Sequence, residues 1–174
     1  MKETIFIAGI NGVGKSTLVN KVSQKTDIPM FNASDLISEI NNEDYSKFKN
    51  VSNKEQNQNI LVEQVEKKLQ TYDKILLTGH CSIMTKEMSF EMIPEKVFNE
   101  INISKLILIE ADVNMVSKLL YERDQIRYSL DFLKDFMKLE HDYSIHIANK
   151  YCIPHIKIVN NFSDEAINEL IRII

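Results

Sequence analysis

Glycine is scarce in this chain, with 4 residues among 174, where average usage of about 7% would give roughly a dozen. Cysteine is scarcer still: Cys81 and Cys152 lie far apart without metal-ligand spacing. A disulfide framework is thereby excluded, and a reduced, cytosolic protein is expected. No apolar run approaches the ~20 residues of a membrane span. Residues Met1 to Ile10 lack the basic, apolar, small-residue layout of a signal peptide. A net charge of −4 and a pI near 5.6 argue against a basic nucleic-acid surface, though not against a local cationic pocket. Repeats, low-complexity tracts and linkers are absent, so residues 1–174 are expected to form a single domain burying roughly 70% of its unfolded surface.

Three of the four glycines, Gly9, Gly12 and Gly14, stand together in GINGVGKST, directly after the apolar run Thr4 to Ala8. A chain so sparing with glycine spends most of it here, which argues against a mere strand-to-helix turn. The stretch fits GxxxxGK[ST], the phosphate-binding loop, in which backbone N–H groups curl around an anion. Lys15 reaches the β- and γ-phosphates, and Ser16 offers a hydroxyl to magnesium. A helix from Lys15 turns its positive dipole end to the same charge. The nucleotide-binding set is therefore Gly9, Asn11, Gly12, Val13, Gly14, Lys15, Ser16 and Thr17, with ATP and Mg2+ as the cofactors.

Further along, apolar runs alternate with helical stretches. Strands are predicted at Thr4 to Ala8, Ile28 to Asn32, Lys74 to Thr78, Lys105 to Ile109 and His155 to Val159. Helices are predicted from Lys15 with Leu18, Val19 and Val22 on its stripe, from Ser34 as cap to Ile40, and over Lys54 to Tyr72 with Leu61, Val65 and Leu69. Others follow from Pro94 to Ile101, at Val113 to Glu122, at Leu130 to Lys150 and after the cap Ser163. Asn41 to Asn53 reads as a polar, mobile segment, and Met88, Phe90 and Met92 as a small hairpin. Five β/α units give a doubly wound five-stranded parallel sheet with helices on both faces, whose ligands sit at the carboxyl ends of the strands.

The phosphate loop, Gly79 and Glu110 all fall at that edge. Gly79 marks either a close approach of a ligand or backbone or a tight turn. Thr78 stands where many phosphate-loop enzymes carry a metal-organising acid, and Glu110 and Asp112 are the candidates to substitute. His80 fits a structural or substrate-positioning role better than a general base. Cys81 beside it points to the other side of an extended segment, which rules out a nucleophilic pair. Arginine occurs only at 123, 127 and 172. If the helix continues past Arg123, then Arg123 and Arg127 share a face and clamp phosphoryl oxygens as a lid. The bland alternative is a solvated pair neutralising Glu122, Asp124 and Asp131. Ser34, Asp35, Asn57 and Gln58 are candidates for holding a second substrate, although capping and solvent contact serve equally well. Lys47, Lys49 and Lys54 form either a solvated face or a guide for an anionic substrate.

Taken together, GINGVGKST, FNASDLI, LLTGH, LILIEAD, ERDQIRY and IKIVNN resemble the adenylate kinase-like nucleotide kinases, particularly the short archaeal-type adenylate kinases and related small ATP-binding proteins. The resemblance covers nearly the whole chain. It implies an acceptor-binding helical region over about 33–72, where Ser34, Asp35, Gln58 and His80 meet substrate, and a short lid over about 122–130. Arg123 and Arg127 match lid arginines, and Asn160 and Asn161 lie near the adenine. Two positions depart from the pattern: Thr78-Gly79 replaces DG, and no arginine precedes Arg123, so His80 or lysines would hold an acceptor phosphate. The implied activity is magnesium-dependent transfer of the γ-phosphoryl of ATP to a nucleoside monophosphate or similar small acceptor, catalysed by Lys15, Arg123 and Arg127. The alternatives are a regulatory or assembly ATPase with a protein partner, and a nucleotide-binding module with little turnover. A nucleic-acid or membrane partner is not expected.

Overall fold

The computed structural model describes residues 2–41, 54–85 and 87–174. The parallel sheet has the order β2-β3-β1-β6-β7, formed by β1 (Glu3–Ala8), β2 (Met30–Asn32), β3 (Lys74–Thr78), β6 (Ile103–Glu110) and β7 (His155–Val159). Its helices are α1 (Lys15–Thr26), α2 (Ala33–Asn41), α3 (Lys54–Thr71), α4 (Glu95–Glu100), α5 (Val113–Asp124), α6 (Leu130–Lys150) and α7 (Asp164–Ile173). A separate antiparallel pair, β4 (Ser82–Met84) with β5 (Phe90–Met92), follows β3.

Because successive strand side chains point to opposite faces, the central strands are apolar throughout and each face has its own core. Ile5 and Ile7 of β1 pack with Val19 and Val22 of α1 and Leu170 of α7. Phe6 and Ala8 face the other way, onto Val65 of α3, Phe98 of α4 and Tyr143 of α6. Helix α6 serves both cores, with Leu133 and Phe136 in one and Tyr143 and Ile147 in the other. It thereby spans the edge where the loops gather.

The doubly wound five-stranded sheet is the one expected, and departures at its ends have local causes. The second strand opens at Met30 instead of Ile28 because Pro29 has no N–H to give the ladder; its carbonyl accepts from Leu76 N at 2.9 Å. Ser34 lies inside the first turn of α2, which starts at Ala33, so it does not cap that helix. Pro94 occupies the cap position of α4 rather than its first turn. The hairpin pairs Phe90–Met92 with Ser82–Met84, leaving Met88 in the connecting turn at φ 58. Gly79 is the site of a close approach by the Phe6 ring, 2.8 Å from where a Cβ would stand. Ser163 caps α7 as expected, accepting from Glu165 N. Residues 42–53 of the predicted polar segment, with Lys47 and Lys49, and the Lys54 side chain lie outside the described residues.

Candidate active site

Strand β1 delivers the chain to Gly9 and α1 takes it up at Lys15. Gly9 and Gly14 have φ of 145° and 81°, the region an L side chain rarely enters. A Cβ on Gly14 would also meet Asn160 Nδ2 at 2.7 Å and the Phe162 ring at 2.8 Å. The loop rests on Asn160, whose Nδ2 donates to Val13 O at 2.9 Å and whose Oδ1 accepts from Phe162 N at 3.0 Å. Asn160 is buried and acts as a prop beneath the loop. The Val13 side chain belongs to the core, so only its backbone faces the nest. Lys15 is 8% exposed and donates to Gly9 O at 2.6 Å and Ile10 O at 2.9 Å. The N-terminus of α1 therefore carries a concentrated positive charge.

Across from the loop, Ser16 Oγ donates to Asn32 Oδ1 at 3.3 Å. Thr78 Oγ1 donates to the same oxygen, and Asn32 Nδ2 donates to Asp35 Oδ2 at 2.7 Å. Two hydroxyls, an amide oxygen and a carboxylate make a hard-oxygen set. It suits Mg2+, which favours one or two carboxylates plus substrate phosphates over an all-protein cage. No group of three His, Cys, Asp or Glu residues suited to a metal occurs among the described residues. Glu110 and Asp112 are not the substitutes for an acid at Thr78. Glu110 accepts from His141 Nδ1 at 2.7 Å and pairs with Lys157 at 3.5 Å, while Asp112 caps α5 through Asn114 N and Met115 N.

A cavity of about 240 Å³ opens beside these groups, and Asn11, Lys15, Ser16, Asn32, Ser34, Asp35, Thr78 and His80 line it. Its far wall is apolar, made by Phe6, Ile37, Leu61, Ile93, Val97, Phe98 and Ile101. Ser34, Asp35 and His80 thus line one cavity. Gln58 sits on α3 one turn before Leu61, outside that wall. A second hollow, holding Thr17 with Ser16, Asn32 and Asp35, lies on the outer side of α1. A third, between Asp112, Asn114, Met115, Lys118 and the Val159–Phe162 turn, borders the loop from beneath.

The two lid candidates do not share a helical face. Gln125, at φ 57, ends α5 and donates its N–H to Tyr121 O at 2.9 Å, leaving Arg127 beyond the helix. Arg123 grips Asp124 with two bonds of 2.6 Å, and that hydrogen bonding holds its guanidinium above the ordinary range. Arg127 lies 5.0 Å over the Tyr121 ring. Neither lines the cavity. Cys81 is fully buried; burial first, then the Glu140 charge, push its thiol well up, with Lys15 pulling the other way. A protonated thiol is no nucleophile, so covalent catalysis there stays excluded.

Two further residues join the site. Asn32 collects Ser16, Thr78 and Asp35, and its signal is its place in FNASDLI, three residues before Asp35 at a strand end. Glu140 is 1% exposed and accepts from Gly9 N at 3.0 Å, Cys81 N at 2.8 Å, Ser82 N at 2.6 Å and Ser82 Oγ at 2.6 Å. Its signal was a carboxylate at an apolar-stripe position of α6, between Leu133 and Phe136 on one side and Tyr143 and Ile147 on the other.

The chain is similar to known proteins along nearly its whole length. An adenylate kinase of Thermoplasma volcanium is 27% identical over 97% of this chain and 97% of its own. One of Thermoplasma acidophilum is 25% identical over 97% and 96%. Among solved structures, a shikimate kinase from Bacteroides thetaiotaomicron superposes with a TM-score of 0.63 at 14% identity, covering 97% of this chain and 96% of that one. That likeness establishes fold alone. A family model described as AAA domain matches residues 8–132. With the glycine loop, the Lys15 helix start and the five-stranded parallel sheet already in place, the chain belongs to that AAA-domain family and carries the P-loop NTPase, nucleoside monophosphate kinase-like fold.

Proposed function

We propose that the protein is a magnesium-dependent phosphotransferase that moves the γ-phosphoryl group of ATP to a small acceptor, a nucleoside monophosphate or a molecule of similar size. The observation that carries this reading is that Lys15 and Ser16 belong at once to the phosphate loop and to the wall of a cavity. A hydrolase needs only room for water there; a transferase needs a second bay in line with the donor. Full-length similarity to two proteins named adenylate kinase supports the same choice.

The loop amides and Lys15 would take the triphosphate, Lys15 trading the Gly9 and Ile10 carbonyls for phosphate oxygens. Ser16 would hold the magnesium ion, with Asn32 and Asp35 orienting its surroundings. Magnesium, when bound, neutralises charge on the β- and γ-oxygens. Asp35, Ser34 and His80 would orient the acceptor hydroxyl or phosphate, while Phe6 and Phe98 exclude water from the cavity floor. Arg123 and Arg127 would add charge from the lid side, which requires the 122–130 segment to close over the loop, with Arg123 exchanging Asp124 for phosphate. The base of ATP would rest against the Val159–Phe162 turn, beside Asn160 and Asn161.

An ATPase reading is favoured by one observation: none of the chain's arginines lines the acceptor cavity, and Asp35 brings a negative charge to its mouth. Incubation with ATP and a panel of nucleoside monophosphates separates the two. ADP formation that depends on the acceptor supports the transferase; an unchanged rate in its absence selects hydrolysis.

A further inference from the structure

Glu140 belongs to neither the nucleotide set nor the acceptor set, yet it touches the chain behind both. Its Oε1 accepts from Gly9 N at 3.0 Å and Cys81 N at 2.8 Å, its Oε2 from Ser82 N and Ser82 Oγ at 2.6 Å each. A carboxylate offers about four lone-pair sites, and here donors from two remote segments fill them. Burying such a charge costs several kcal/mol unless hydrogen bonds replace its water, and well-packed apolar residues often do better for stability alone. In the α6 stripe an apolar side chain would extend the core that Tyr143 and Ile147 already supply. What the carboxylate adds is a fixed spacing between two backbones that make no strand pair of their own past Ile7 and Thr78.

The linkage reaches reacting groups on both sides. Gly9 is held at its N–H by Glu140 and at its carbonyl by Lys15 Nζ. Cys81 and Ser82 directly follow Gly79 and His80, which line the cavity. We propose that Glu140 is a positioning residue that sets the phosphate loop and the His80 side of the acceptor cavity in one register. This assignment rests on the phosphotransferase reading for its kinetic consequence, though not for its geometry. Moving the carboxylate displaces Lys15 and His80 relative to each other. The ground-state grip on ATP through the other loop amides persists, and the aligned transition state suffers.

Two variants of the full chain test it. Glu140→Gln keeps the shape but turns an N–H2 toward N–H and O–H donors. It is expected to lower kcat for ATP turnover by about 10- to 100-fold, the cost of a misplacement near 1 Å, with KM for ATP within about threefold. Ser82→Ala removes one donor without changing charge. In the nucleotide-free protein it is expected to shift the Gly9 amide resonance in 15N–1H spectra, and to lower kcat by roughly threefold. A purely structural glutamate would lower thermal stability while leaving kcat of the folded enzyme in place. Wild-type kcat in Glu140→Gln, or a stationary Gly9 resonance in Ser82→Ala, overturns the proposal. Should Glu140→Gln fail to fold, Ser82→Ala decides alone by the same resonance. A wild-type protein indifferent to every acceptor would defeat the phosphotransferase reading, and the Gly9 response would still judge Glu140.

Discussion

The phosphate loop and the cavity facing it share Lys15 and Ser16 but are built in opposite ways. The loop is one contiguous stretch from Gly9 to Thr17, shaped by positive φ angles and braced by Asn160 from below. The cavity draws its wall from β1, α2, α3, the end of β3, the segment after β5 and α4, joined mainly by apolar packing around Phe6 and Phe98. Charge recognition needs donors fixed in one local pattern, whereas an acceptor of particular size needs a shape that no single segment can provide. Polyphosphate chemistry is therefore common to a large family, while acceptor choice is free to vary with a few wall residues.

The largest effect is expected at the lysine that both regions share. Lys15→Ala is expected to reduce ATP turnover by at least about 10³-fold, since it removes the charge meeting the transferring group; a steady-state ADP assay checks this. Phe98→Ala should act on the cavity and not on the loop. Phe98 is 1% exposed and meets Phe6 edge-on at 5.6 Å, so its truncation should cost about 3–5 kcal/mol in urea unfolding. In the protein that remains folded, KM for the acceptor should rise more than KM for ATP. Asp35→Asn tests the oxygen cluster between the two regions. Weakening a group that orients a metal ligand commonly costs about 10- to 100-fold, so the magnesium concentration for half-maximal rate should rise by that order. The smallest effect concerns Cys81. Its pKa is raised by burial and by Glu140, so it stays protonated and shielded above the ordinary thiol range, whereas Cys152 is exposed to reagent. Alkylation of the folded protein between pH 8 and 9 should label Cys152 alone, and equal labelling would show that the junction behind the loop opens.

These contrasts also explain what could be read in advance. The loop, all five parallel strands and the long α6 announce themselves because each is a local pattern: a motif, an apolar run, a helical stripe. The strand limits of β3 and β7 need no adjustment, and Pro29 accounts for the late start of β2. Partnerships between remote segments leave no local trace. Glu110 looked available for a metal until α6 brought His141 to it and β7 brought Lys157. Arg123 and Arg127 looked like helical neighbours until Gln125 turned left-handed between them. Asn32 and Glu140 organise the two sides of the site; Asn32 stands in FNASDLI without that stretch announcing its role, Glu140 lies outside any motif, and only the fold gives them partners.

If the γ-phosphoryl group has a second seat beside Lys15, its destination can be followed directly with γ-labelled ATP and candidate acceptors in magnesium. Label is expected on the acceptor in proportion to ADP formed, with the product lost in Lys15→Ala. Label appearing only as inorganic phosphate, at a rate indifferent to every acceptor, would contradict it.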